Sequence, residues 1–207
     1  MSDTFEELGS GCVRENAARE PALRVLAWQR RADVLRQPPL PCLSKYHTLN
    51  LTAGCPNECR YCYAQNYKHH PGWGTVAFYA NTLERLRAEF EEVRPRPTLV
   101  YLSTASEPFL PVERIQDDMF EIMRFLLEKG VFLLISTKGV IGARFADLFA
   151  QWPGRVLVQV GLTTVDDETR RLLEPRATSV AQRLANVELL AGRGVPVEAR
   201  MDPSCRG

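Results

Sequence analysis

The chain has 207 residues, 45% hydrophobic and 25% charged, with a net charge of +1 at neutral pH. That is ordinary for one folded domain with a sizeable core, and it argues neither for nor against nucleic acid, since a local patch can hide inside a neutral total. No apolar stretch approaches a membrane span, and residues 1–7 lack the basic start and apolar core of a signal peptide, so the chain is expected in the cytoplasm with reduced thiols.

Residues 1–44 show weak periodicity and read as an N-terminal extension packed on the domain. Pro21 to Arg36 predicts a short helix with Leu23, Val25, Leu26 and Val34 apolar, and the Pro38 to Pro41 segment then forms an extended connector. Cys12 and Cys42 have no partner at metal-site spacing and read as free thiols. From Lys45 onward the pattern repeats. Tyr46 to Leu51 alternates as a first strand and runs into a cysteine-rich loop. Asn81 to Val93 is an amphipathic helix whose Asn81 and Glu84 form a capping-box pattern, and Pro95 and Pro97 stop it.

Thr98 to Leu102 is the second strand, followed by a helix from Val112 to Lys129 with Gly130 after its end. Val131 to Ile135 is a third strand, apolar throughout, which predicts burial on both faces. Ala143 to Gln151 is helical, and Val156 to Val160 is the fourth strand. Asp166 caps a short helix that ends before Pro175, and Ser179 with Gln182 opens another that reaches Ala191. Val195 to Ala199 is the fifth strand. Five strands alternating with helices predict a parallel α/β sheet with right-handed crossovers, and chemistry gathered at the carboxyl ends of the strands.

Those strand ends carry polar groups. The first leads into Cys55-Pro-Asn-Glu-Cys59-Arg-Tyr-Cys62, three thiols within eight residues. They could hold a soft metal, form a disulfide or bind an iron–sulfur cluster. Structural zinc and ferredoxin-type clusters both want four protein ligands, and no second pair follows at suitable spacing. Three cysteines on a four-iron cluster leave one iron open, which makes the centre catalytic rather than structural. The second strand ends at Ser106 and Glu107, the third at Lys138 and the fourth at Thr163. Glu174 and Arg176 read as a structural ion pair, and Cys205 as an incidental thiol past the last strand.

The C-x3-C-x2-C spacing with Tyr61 before the last cysteine resembles the radical S-adenosylmethionine superfamily. The flanks Leu49 to Cys55 and Tyr61 to Ala64, with Leu173 to Ser179 and Arg200 to Pro203, resemble its spore photoproduct lyase-like branch, from about Lys45 to Gly207. The resemblance implies a partial parallel (β/α) barrel of six strands, of which the core domain of residues 45–207 holds five. Either a sixth strand and its helix follow Gly207 or a different element, such as residues 1–40, closes the edge; in the first case the bare edge of the fifth strand, with Val195, Val197 and Ala199, is expected to promote self-association.

The resemblance also implies two cofactors. A [4Fe-4S] cluster would sit on Cys55, Cys59 and Cys62, and S-adenosylmethionine on the open iron, with a reducing partner such as flavodoxin or ferredoxin. Tyr61 would lie by the adenine, Ser106 and Glu107 by the amino group, and Lys138, if not a solvated surface lysine, by the carboxylate. From its strand-end position alone, the Thr163 hydroxyl could reach the ribose or simply cap the strand. Tyr63 stands where photoproduct lyases relay a hydrogen atom. Where those lyases carry a cysteine hydrogen-atom donor, this chain has Thr104, whose O–H bond is far too strong for that role. The leading expectation is therefore an enzyme that forms a 5′-deoxyadenosyl radical and attacks an unidentified substrate. The alternatives are a DNA photoproduct repair lyase, for which Tyr67 to His70 with Trp73 is the local basic and aromatic patch, and an iron–sulfur electron-transfer protein without radical chemistry.

Overall fold

A computed structural model of the protein describes residues 23–38 and 44–201; Cys12, Cys42 and Cys205, with most of the proline-rich connector, lie outside them. The main sheet is parallel throughout, in the order β2 (His47–Leu49), β5 (Leu99–Leu102), β6 (Phe132–Thr137), β7 (Val156–Gly161), β8 (Val197–Arg200). These are the five expected strands. Between them run α1 (Thr82–Glu92), α2 (Glu113–Glu128), α3 (Ala143–Ala150), α4 (Asp167–Leu173) and α5 (Val180–Ala191). Among the described residues, no helix is long and apolar enough to cross a membrane.

One face of the sheet carries the core. On α2, Ile115, Met119, Ile122, Met123 and Leu126 recur at helical spacing and are buried, and they pack with Leu133, Ile135, Val158 and Phe145. The third predicted strand is not buried on both faces. In β6, Leu133, Ile135 and Thr137 are buried and alternate with half-buried Phe132, Leu134 and Ser136, and β7 alternates similarly up to Val160. The second face is polar near its carboxyl edge. There the Tyr101 hydroxyl lies 2.8 Å from Ser136 Oγ, donates to Gln159 Oε1 at 3.2 Å and accepts from Arg200 Nη1 at 2.8 Å.

The expected helix over residues 21–36 does not form across its described part. Instead β1 (Arg24–Trp28) is a strand in a small second sheet, parallel to β4 (Thr75–Tyr79), and β3 (Thr52–Ala53) joins β4 on its other side. Pairing five residues of β1 with β4 satisfies more backbone than a short isolated helix could. The same docking removes the predicted capping box. Asn81 makes no side-chain cap; its amide accepts from Arg30 N at 2.8 Å and donates to Arg30 O at 3.1 Å. Glu89 on α1 adds a second clamp, accepting from Val34 N at 2.6 Å and Leu35 N at 2.9 Å. The other two caps form as read. Asp166 accepts from Thr169 N, and Ser179 with Gln182 makes a full capping box.

Candidate active site

The cysteine loop leaves β3 through Gly54, whose φ of +79° is in the left-handed region; a Cβ there would lie 2.7 Å from both Pro71 Cγ and Thr75 O. Three elements then pin the loop. Buried Asn57 donates to Glu107 Oε2 at 3.3 Å, Arg60 N donates to Leu173 O at 2.9 Å at the end of α4, and Arg176 N donates to Asn57 O. Glu58, at a φ of +49°, accepts from Gly74 N at 2.7 Å and pairs with Arg176 at 3.4 Å. Arg176 is thus the partner of Glu58, not of Glu174.

Cys55, Cys59 and Cys62 are free thiols around one pocket, with Glu58, His70 and Trp73 also in its wall. Burial pushes the Cys55 thiol well up and the Cys59 thiol up to about 11. Among the described residues, no three His, Cys, Asp or Glu side chains converge on a single ion position. In a four-iron cluster each thiolate binds its own iron, so three thiols on one pocket wall need not share an ion position.

A second constellation adjoins the loop. Glu174 is fully buried, at 0% exposure, and gathers four groups from separate elements. Tyr61 donates to its Oε1 through a short hydrogen bond, Thr163 Oγ1 donates at 2.5 Å, Lys138 Nζ lies at 3.9 Å, and Arg183 Nη2 lies 2.5 Å from Oε2. Burial raises the Glu174 pKa, but the Thr163 and Tyr61 hydrogen bonds and the Arg183 and Lys138 charges outweigh it and hold the carboxyl below its ordinary value. Burial and the bond to Glu174 push the Tyr61 phenol far above the usual range. Lys138 is mostly covered, 5.8 Å from the Tyr61 ring centroid, and packs on Gly161, where a Cβ would lie 2.8 Å from its Nζ. It is not a solvated surface lysine.

The remaining predicted residues sit around these two groups. Glu107 is buried and its acceptor positions are taken. Oε1 accepts from Thr137 Oγ1 at 2.5 Å and Phe109 N at 3.1 Å, and Oε2 from Lys138 N at 2.9 Å and Asn57 Nδ2 at 3.3 Å. Burial raises its pKa against those bonds. Ser106 Oγ donates to Asn50 Oδ1 at 3.3 Å. Tyr63 is 55% exposed, stacks edge-on with Tyr67, and donates a short hydrogen bond to Thr104 O. Partial burial and neighbouring Tyr67 push its phenol up to about 12.

The model of the radical SAM superfamily matches residues 49–202, about three quarters of the chain. The chain belongs to the radical SAM superfamily.

Among its relatives are an uncharacterized protein of Acidianus two-tailed virus, ORF301, and an uncharacterized protein of Mycobacterium tuberculosis. The first is 26% identical over 69% of this chain and 50% of its own length; the second is 28% identical over 76% and 49%. The chain thus spans about half the length of the curated relatives it matches. Its fold is that of spore photoproduct lyase. The structure of that enzyme complexed with dinucleoside spore photoproduct superposes with a TM-score of 0.66 at 18% identity, over 88% of this chain and 52% of the lyase.

For a radical SAM protein the donor chemistry fits the family's cluster: three soft, unpaired thiols on the wall of one pocket. Sequence reasoning missed Glu174 as the hub, together with Arg183 and Asn57. Only the buried position of Arg183 in an otherwise ordinary helix marks it out, and burial of a charged residue is not readable from one sequence.

Proposed function

We propose that this radical SAM chain binds a [4Fe-4S] cluster through Cys55, Cys59 and Cys62 and holds S-adenosylmethionine beside it. When bound and reduced, that pair supplies a 5′-deoxyadenosyl radical, which in this reading abstracts hydrogen from a substrate. The observation that carries the proposal is the thiol pocket lying next to the Tyr61–Thr163–Lys138–Glu174 constellation.

In this reading the chain's own groups divide the work of binding. Lys138 presents an ammonium for the cofactor's carboxylate, and Glu174, itself paired with Arg183, holds Tyr61 and Thr163 in place beside it. Tyr61 gives the adenine an aromatic face, with Thr163 at the ribose. Ser106 and the backbone around it serve the amino group. Glu107 acts one step back, because its acceptors are occupied: it ties the cysteine loop to the ends of β5 and β6. Tyr63, on the exposed side of the pocket, is the candidate hydrogen-atom relay. Hypothesised localisation is cytoplasmic, with a low-potential electron donor such as flavodoxin or ferredoxin.

A repair lyase is the less favoured specific reaction. Thr104 stands where that activity wants a thiol, and its side chain is engaged with Asn50 Nδ2 at 3.4 Å. The experiment is anaerobic reconstitution with iron and sulfide, reduction, and assay of 5′-deoxyadenosine from S-adenosylmethionine. Turnover supports the enzyme reading; a loaded, reducible cluster that makes none supports an electron carrier.

A further inference from the structure

Beside the thiol pocket lies a second cavity of about 390 Å³, a size suited to a small ligand. Its wall carries Arg30, Lys68, His69 and His70, with Tyr67 and Tyr79 as aromatic surfaces, and no acidic residue lines it. The proposed cofactor constellation contributes nothing to it: Lys138, Tyr61, Thr163 and Glu174 are all absent from the wall.

Arg30 is held in an unusual state. Its guanidinium stacks 4.0 Å from the Tyr79 ring centroid and its Nη2 donates a short hydrogen bond to Asn50 O. Its Nε is buried with no hydrogen-bond partner among the described residues. A buried, unsatisfied charged donor is costly. Burial, with the like charges of Arg36 and Arg85 nearby, holds the guanidinium below its ordinary pKa. Glu89, the carboxylate nearest in charge, is engaged by the backbone of Val34 and Leu35. His70 Nδ1 accepts from Gly72 N at 3.1 Å, which leaves Nε2 as the ring's donor.

We propose that this cavity, which adjoins the thiol pocket and shares Gly54, Ala64, His70 and Ala105 with its wall, is a binding site for a phosphate group separate from the Tyr61–Thr163–Lys138–Glu174 constellation. The Arg30 guanidinium and the Lys68 ammonium around one space can neutralise more than a single negative charge, and the two imidazoles add hydrogen-bonding groups, which favours phosphate over carboxylate. Tyr67 and Tyr79 provide flat surfaces on which the rest of a phosphate ester can lie. The inference does not depend on the radical reaction and stands if that reading fails.

The test is isothermal titration of inorganic pyrophosphate into the full, cluster-loaded chain in chloride buffer, with and without S-adenosylmethionine. Saturable binding is expected in both conditions. Arg30→Gln should weaken it about tenfold or more, and Lys68→Ala several-fold, with the iron–sulfur absorbance unchanged. Because Arg30 also braces Asn50, Lys68→Ala at an exposed position keeps the test valid if Arg30→Gln fails to fold. A mononucleotide arm identifies the source: tighter binding than pyrophosphate with the same Arg30 dependence assigns a nucleotide, and equal affinity assigns a free anion. Absence of saturable binding, affinity indifferent to both substitutions, or displacement by S-adenosylmethionine would each overturn the proposal.

Discussion

At the scale of single residues, the cysteines were legible because their chemistry is local: three thiols within eight positions leave few readings. The groups around them were not. Glu174 meets Tyr61 from 113 positions away, and nothing near Glu174 in the chain announces that partner. Replacing Cys55, Cys59 or Cys62 singly by Ala should abolish the iron–sulfur absorption, whereas Cys12→Ala should leave it intact; equal iron loading in all four variants would dismiss the ligand assignment. Lys138→Ala should weaken S-adenosylmethionine binding by roughly 1.5–3 kcal/mol, the range for a hydrogen bond to a charged group, and an unchanged dissociation constant would remove Lys138 from the site. Glu174 makes a pH prediction. Its folded pKa is below the ordinary value, so its contribution to stability is present above the unfolded pKa and is lost as pH falls through the folded one. The urea midpoint of the wild-type chain should therefore exceed that of Glu174→Gln at pH 7, and the gap should close as pH drops below about 4. A gap constant from pH 7 to pH 3 would show that its charge state does not matter.

At the scale of elements, the five main strands and the α helices between them followed from periodicity, and two caps from side-chain chemistry. The misses share one cause, which is tertiary pairing. Arg24–Trp28 has enough apolar and β-branched character to be a strand, but only the presence of β4 gives its backbone a partner. Asn81 likewise has the composition of a cap, yet a long-range partner, the Arg30 backbone, takes both ends of its amide. The two readings separate cleanly by mutation. Asn81→Ala should cost roughly 2 kcal/mol through two lost hydrogen bonds, while Glu84→Gln should cost only a few tenths. Comparable losses measured by urea denaturation would restore the capping box and contradict the docking of residues 24–36 through Asn81.

At the scale of the whole molecule, the sheet has one packed face and one polar face, and the residues of the candidate site rise from its carboxyl edge. An alternating strand and a fully buried one can share an apolar sequence, which is why Val131 to Ile135 gave no sign of the half-exposed face. That face presents Tyr101, Ser136, Gln159 and Arg200 beside Tyr63, polar groups from four strands that only the sheet order brings together. Among the described residues no strand covers the outer edge of β8; Arg200 and Glu198 turn to Tyr101 and Gln159 on the polar face, and of the apolar residues Val195, Val197 and Ala199, Val195 is in the core. The whole account rests on a cluster with one iron free for a cofactor. The most direct measurement is electron paramagnetic resonance of the reduced, reconstituted chain before and after S-adenosylmethionine is added. The account predicts a cluster signal whose g-values change on addition, in the wild-type chain and less readily in Lys138→Ala. A cluster signal indifferent to saturating S-adenosylmethionine would contradict it.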